Sequence, residues 1–137
     1  LMPAASAPSK LATFYKDFNI GMKPHPVTGA LLTVKNAASV KQGVRNLILT
    51  NHHERPYRPD YGGNVGQYLF ELFDRSTVAD IRSDIQYAFE SYMRRAELIS
   101  TDVSASEDNN QLTITITFRP INQVELETID ITVERVR

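Results

Sequence analysis

The chain has 137 residues, 42% of them hydrophobic, which is enough for one domain with a real core and too little for two. It has no cysteine, which excludes disulfides, zinc–thiolate centres and thiol nucleophiles, and no apolar run approaches the ~18 residues of a membrane span. The formal net charge of −1 conceals two halves of opposite sign: residues 1–65 carry eight Lys/Arg against three Asp/Glu, whereas residues 66–137 carry seven against thirteen. A nucleic-acid binder gathers its basic residues into one patch, so this split argues for a protein that meets different neighbours on different sides.

The opening LMPAASAPSK is rich in Ala, Ser and Pro with a single charge, and reads as a flexible leader rather than a signal peptide. MKPHPVTGALLTV then places two prolines and a glycine before a brief apolar run, so residues 1–38 are expected to form an extended, irregular N-terminal arm and residues 39–137 the domain proper. In SVKQGVRNLILT, Ser39 is a candidate cap, and Val40, Val44, Leu47 and Ile48 share one helical face despite the low propensity of Gly43.

After a Pro/Gly-rich interruption, NVGQYLFELFD sets Val65, Tyr68, Leu69, Leu72 and Phe73 at helical spacing behind Asn64. STVADIRSDIQYAFESYMRR carries the strongest helical pattern. Val78, Ile81, Ile85, Ala88, Phe89 and Tyr92 form its buried stripe, Thr77 and Asp80 stand in capping relation, and Arg94 and Arg95 fall at the favourable end of the dipole. From Ile99 the period changes to two: Ile99, Thr101, Val103 and Ala105, then, after EDNN, Leu112, Ile114, Ile116 and Phe118 define the core face of a hairpin. Pro120 ends the second strand or marks an edge. The last run alternates in two phases, Val124 and Leu126 and then Ile129, Ile131 and Val133, which predicts a bulge near Glu127 and Thr128 or two halves with different partners. The expected fold is therefore α+β, a single small domain with two to three helices packed on a C-terminal antiparallel sheet of about three strands.

Chemistry has little support. His25, His52 and His53 lack metal-ligand spacing and read as solvated loop histidines. A glycosidase needs two carboxyls, one kept protonated, yet Glu54 and Asp60 lie beside Arg55 and Arg58, while Glu71 and Asp74 fall on a polar helix face. No nucleophile elbow or phosphate-binding loop is present, so neither an enzyme nor a cofactor is expected. HHERPYRPDYGG, beginning at His52, makes better sense as architecture: Pro56 and Pro59 should hold residues 54–60 extended and stiff, Tyr57 and Tyr61 supply contact area, and Gly62 and Gly63 permit a sharp turn. Arg55 and Arg58 either pin the loop to nearby acids or meet a partner chain.

ERPYRPDYGG followed by VGQYLFELFD, a long helix and a three-strand sheet resembles the gp25-like proteins of contractile phage tails, a family that also contains baseplate components of type VI secretion machines. The similarity runs from about Val40 to Val133, and His53 stands where the family pattern often has a glycine. The resemblance implies a structural wedge protein of the virion tail baseplate, present in several copies around the tube. Its partners would be wedge core proteins, the first sheath ring and the tail tube, with neither nucleic acid nor membrane. By the same resemblance the wedge-binding residues would be Glu54, Arg55, Arg58, Pro59 and Tyr61, and the C-terminal strand, with Glu125, Glu127, Ile129, Ile131 and Val133, would bind sheath. A generic adaptor in another assembly and a small lysozyme-like cell-wall hydrolase are the alternatives.

Overall fold

The computed structural model describes residues 15–135 apart from 73, 107 and 122. The expected leader and Phe73 of the expected helical stripe lie outside the described residues. In chain order the elements are β1 (Lys16–Phe18), β2 (Thr33–Lys35), α1 (Ala37–Leu49), α2 (Val65–Tyr68), α3 (Arg75–Tyr92), β3 (Ala96–Ser106), β4 (Gln111–Pro120) and β5 (Glu127–Glu134). The architecture is α+β, with α1 and α3 packed on a three-stranded antiparallel sheet of order β3-β4-β5.

The core follows the sequence periodicities closely. Val40, Val44, Leu47 and Ile48 of α1 and Ile81, Ile85, Ala88 and Phe89 of α3 are buried against Leu112, Ile114, Ile116 and Phe118 of the central strand β4. The Phe89 and Phe118 rings meet at 6.2 Å. The opposite face of β4 carries Thr113, Thr115 and Thr117, and Thr115 donates a hydrogen bond to Asp130 across the ladder at 2.8 Å.

Several local expectations are corrected by contacts distant in sequence. Residues 15–35 are not irregular: β1 and β2 pair antiparallel, and a further bridge joins Pro24 to Leu31. The Gln42 side chain ties this ribbon to α1 by donating to the Phe18 carbonyl and accepting from the Ile20 N–H. Ser39 does not cap α1. The cap position is Asn36, and Ser39 lies buried inside the helix, where its hydroxyl donates to Asp17 at 2.5 Å. The second expected helix shortens to the single turn α2, behind an Asn64 in left-handed conformation, and Leu72 is fully exposed. Asp74, rather than Thr77 or Asp80, caps α3, its carboxylate accepting from the Thr77 N–H at 2.7 Å. Arg94 and Arg95 lie beyond the last turn of α3.

The strand β3 begins at Ala96, and a bulge between Leu98 and Ser100 leaves Ile99 out of the ladder, half exposed, while Thr101, Val103 and Ala105 keep the inward phase. Pro120 sits at the end of β4 opposite Ala96, beyond the last β5 partner, where no second ladder needs its missing N–H. The two phases of the C-terminal run resolve without a bulge. The ladder between β4 and β5 is regular from Glu127 to Glu134, whereas Val124 and Leu126 lie in the preceding connection, exposed.

Candidate partner-binding loop and edge strand

The loop between α1 and α2 is built by turns, not by an extended run. The His53 N–H donates to the Pro59 carbonyl at 2.8 Å and closes it, while further turns link Arg58 to Arg55 and Tyr61 to Arg58. Pro56 fixes one dihedral, but left-handed backbone at His53 (φ 68°) and Tyr57 (φ 64°) reverses the chain on either side of it. Flanking asparagines fasten the ends: Asn51 donates to Glu54 and accepts from the Gly66 N–H, and Asn64 accepts from the His52 N–H. His52, expected to be solvated, is half-buried with its ring 3.2 Å from the Gly62 carbonyl.

Gly62 and Gly63 do more than turn. The Gly63 and Asn64 N–H groups donate to the Leu47 and Thr50 carbonyls, at 3.0 and 3.2 Å, so the loop's exit caps the C-terminus of α1. A Cβ on Gly62 would lie 2.2 Å from the Thr50 oxygen, and the φ of 116° is open to glycine alone.

Within this frame the predicted residues separate. Arg55 stacks on Tyr61 at 4.4 Å, and Tyr61 packs against Tyr92 with centroids 5.0 Å apart. Asp60 accepts from the Tyr92 hydroxyl at 3.0 Å, and that bond, more than the charge of Arg58, holds its carboxyl below the usual range. Burial first, and then the same bond, push the Tyr92 hydroxyl up. Glu54 is held by Asn51, Tyr57 is fully exposed, and Pro59 supplies the closing carbonyl. Among the described residues the ion pairs are Lys41–Glu127, Arg95–Asp17 and Arg119–Glu97, and neither Arg55 nor Arg58 takes part. The loop arginines thus form no close ion pair with neighbouring acids among the described residues, although the charge of Arg58 reaches Asp60.

In the second candidate region, Ile129, Ile131 and Val133 lie opposite Ile116, Ile114 and Leu112 and face the protein's own core. Glu127 pairs with Lys41 of α1 at 2.6 Å, and Glu125 is exposed in the preceding connection. As an edge strand β5 keeps one unpaired side. The Asp130 carbonyl accepts from Arg45, whereas the Arg135 N–H bonds back to Asn110, so the even residues Thr128, Asp130, Thr132 and Glu134 turn their backbone groups outward.

Asp17, Asp60 and Asp74 are all shifted below the ordinary carboxylate range, by Ser39, Tyr92 and Thr77 respectively, the wrong direction for a general acid. Among the described residues no group of His, Asp and Glu could hold a metal ion.

The family of baseplate wedge protein gp25 matches residues 34–124, more than half of the chain. The chain belongs to the gp25 family. The gp25 baseplate wedge protein of Enterobacteria phage T4 is 27% identical over 84 residues, covering 61% of this chain and 64% of the relative. This gp25-family chain thus spans just under two thirds of that relative. Its fold is shared with a chain of the anti-feeding prophage baseplate (TM-score 0.61, 19% identity, covering 86% of this chain and 83% of that one). It is shared too with a chain of the post-contracted pyocin R2 baseplate (TM-score 0.51, 15% identity, covering 83% and 98%). A Geobacter sulfurreducens protein with a provisional description as a tail lysozyme is similar as well (TM-score 0.62, 22% identity, covering 72% and 89%). At that identity the likeness is one of fold. Family membership relates the chain to baseplate wedge proteins, a structural family.

Tyr92 reaches the loop from α3, and Gly43, Arg94 and Arg95 line a cleft beside it; spacing in the sequence places these four on helix faces and ends and carries no sign of a shared site. The signal within the loop was better: its two asparagine flanks stand at the turn positions that side-chain amides favour.

Proposed function

We propose that this protein joins the wedge core of a contractile tail baseplate to the first sheath ring, by way of two separate surfaces. The arginine loop, with Glu54, Arg55, Arg58, Pro59 and Tyr61, meets the wedge core, and β5 meets the sheath. The observation that carries the reading is the state of the loop: Arg55 and Arg58 are exposed and without a carboxylate partner among the described residues, on a backbone braced at both ends. A braced loop loses little entropy on binding, and a guanidinium fork is suited to carboxylates and to carbonyls at helix ends. The anti-feeding prophage baseplate that contains a chain of the same fold is six-fold symmetrised, and on this reading several copies of the protein are arranged around the tail tube.

The sheath surface is the outer edge of β5. Because Ile129 and Ile131 are buried in the protein's own core, a partner strand would add to the outward N–H and C=O groups of Thr128, Thr132 and Glu134. The variant Arg55→Glu with Arg58→Glu is expected to keep its thermal midpoint and to be absent from purified wedges; normal incorporation would sink the loop assignment. Thr132→Pro removes an outward donor without touching the ladder to β4, and is expected to give wedges that fail to grow sheath. Normal sheath on that variant would reject the edge.

A further inference from the structure

An open cleft of about 350 Å³ lies beside the loop, between α1, the loop and the chain just past α3. Three guanidiniums line it, Arg55, Arg94 and Arg95, against the single carboxylate of Asp17. That carboxylate is already committed: it accepts from Arg95 at 2.9 Å and from Ser39 at 2.5 Å. Arg95 is thereby neutralised. Arg94 is exposed, Arg55 lies over the Tyr61 ring at 4.4 Å, and neither guanidinium makes an ion pair among the described residues. The cleft therefore carries an excess of two positive charges on arginines that come from different elements.

Gly43 lies under the end of Arg95: a Cβ there would stand 2.7 Å from Arg95 Nη2, so the glycine leaves room for that flexible side chain to lie against α1 on its way to Asp17. Arg55 and Arg94 line the same open cleft as the paired Arg95.

We infer that this cleft is the receptor for one acidic side chain, a Glu or Asp of the protein partner that the loop meets, gripped between Arg55 and Arg94. The inference rests on the loop reading of the proposed function and adds Arg94 to it. A single carboxylate matches the chemistry better than a polyphosphate backbone, because two free guanidinium forks satisfy one carboxylate while Asp17 and the acidic C-terminal half of the chain repel extended polyanions. Tyr61 and Tyr92, their ring centroids 5.0 Å apart, line one side of the cleft, and Tyr61 carries Arg55 at its rim.

The test compares Arg94→Glu with the Arg55→Glu/Arg58→Glu chain, each expressed in full with its native wedge proteins, reading copies retained per purified wedge. Arg94→Glu is expected to fold with an unchanged thermal midpoint and to lose wedge retention on the order of tenfold or more, as for one charge-assisted pair. Restoration of that loss by an acid-to-arginine change on the wedge core partner would identify the seated carboxylate. Normal retention of Arg94→Glu alongside loss in the loop variant overturns the cleft and leaves the loop reading intact; normal retention of both overturns both. Retention unchanged while binding of a duplex DNA oligonucleotide falls would mean that the cleft serves a nucleic acid, which also rejects the inference.

Discussion

Replacing Gly62 by alanine tests how the loop is joined to the helix before it. Two independent costs arise at this position. A residue with a Cβ held at φ 116° is strained by about 1–3 kcal/mol. The new Cβ would also stand 2.2 Å from the Thr50 carbonyl oxygen, a backbone atom that cannot swing aside as a side chain could. Relief requires the loop to withdraw from α1, which lengthens the bonds from Gly63 to Leu47 and from Asn64 to Thr50, each contributing about 1 kcal/mol net. The expected loss is about 3–5 kcal/mol, measured as the shift of the urea midpoint at constant slope. Gly29→Ala is the internal control, because Gly29 shares a positive φ of 70° but has nothing within 4 Å of its Cβ position. That variant should lose only about 1–2 kcal/mol. Equal losses in the two variants would refute the close approach to Thr50 and, with it, the view that the loop's exit caps α1.

Other consequences are simpler to state. His53 occupies left-handed backbone at φ 68°, so His53→Gly is expected to be neutral or to stabilise by up to about 1 kcal/mol in thermal melts, and a clear loss would give the imidazole an unrecognised contact. Phe89→Ala should cost about 3–5 kcal/mol in denaturant titration, since the ring is buried against Phe118; a small change would refute the core face of α3. The Asp17 carboxyl is held below its ordinary value, first by the Ser39 hydroxyl and then by Arg95. A lowered folded-state pKa gives stability that is present above the unfolded value of ~3.9 and is lost as pH falls through the folded one. Thermal midpoints should therefore fall more steeply on acidification in the natural chain than in Asp17→Asn, and parallel curves would remove Asp17 from the account.

Periodicity carried most of the fold. The stripes of α1 and α3 and the inward residues of β4 were legible because a helix or strand with one dry face must repeat its apolar residues at the spacing of that face. The failures cluster where long-range contacts override local preference. Ser39 looks like a cap until Asp17, brought in by the ribbon, claims its hydroxyl. Leu72 continues a helical pattern, yet the chain turns before reaching it because Asp74 begins a new helix two residues later. Ile99 fits the alternation of its strand but is ejected by a bulge that no local residue announces. In the candidate loop the residue types were legible and the conformation was not: prolines suggested an extended run, whereas positive φ at His53 and Tyr57 folds it into turns. The arginines of the cleft belong together only because the end of α3 lands beside the loop, a fact of packing rather than of spacing.

The bond from Arg45 to the Asp130 carbonyl has a consequence for the subunit before assembly. A bare sheet edge invites copies of the same chain to stack edge to edge. Here the Asp130 carbonyl in the middle of β5 already accepts from a side chain rooted on α1, so the Arg45 guanidinium stands beside the open edge and disfavours edge-to-edge stacking of two copies by placing a charge at that edge in each.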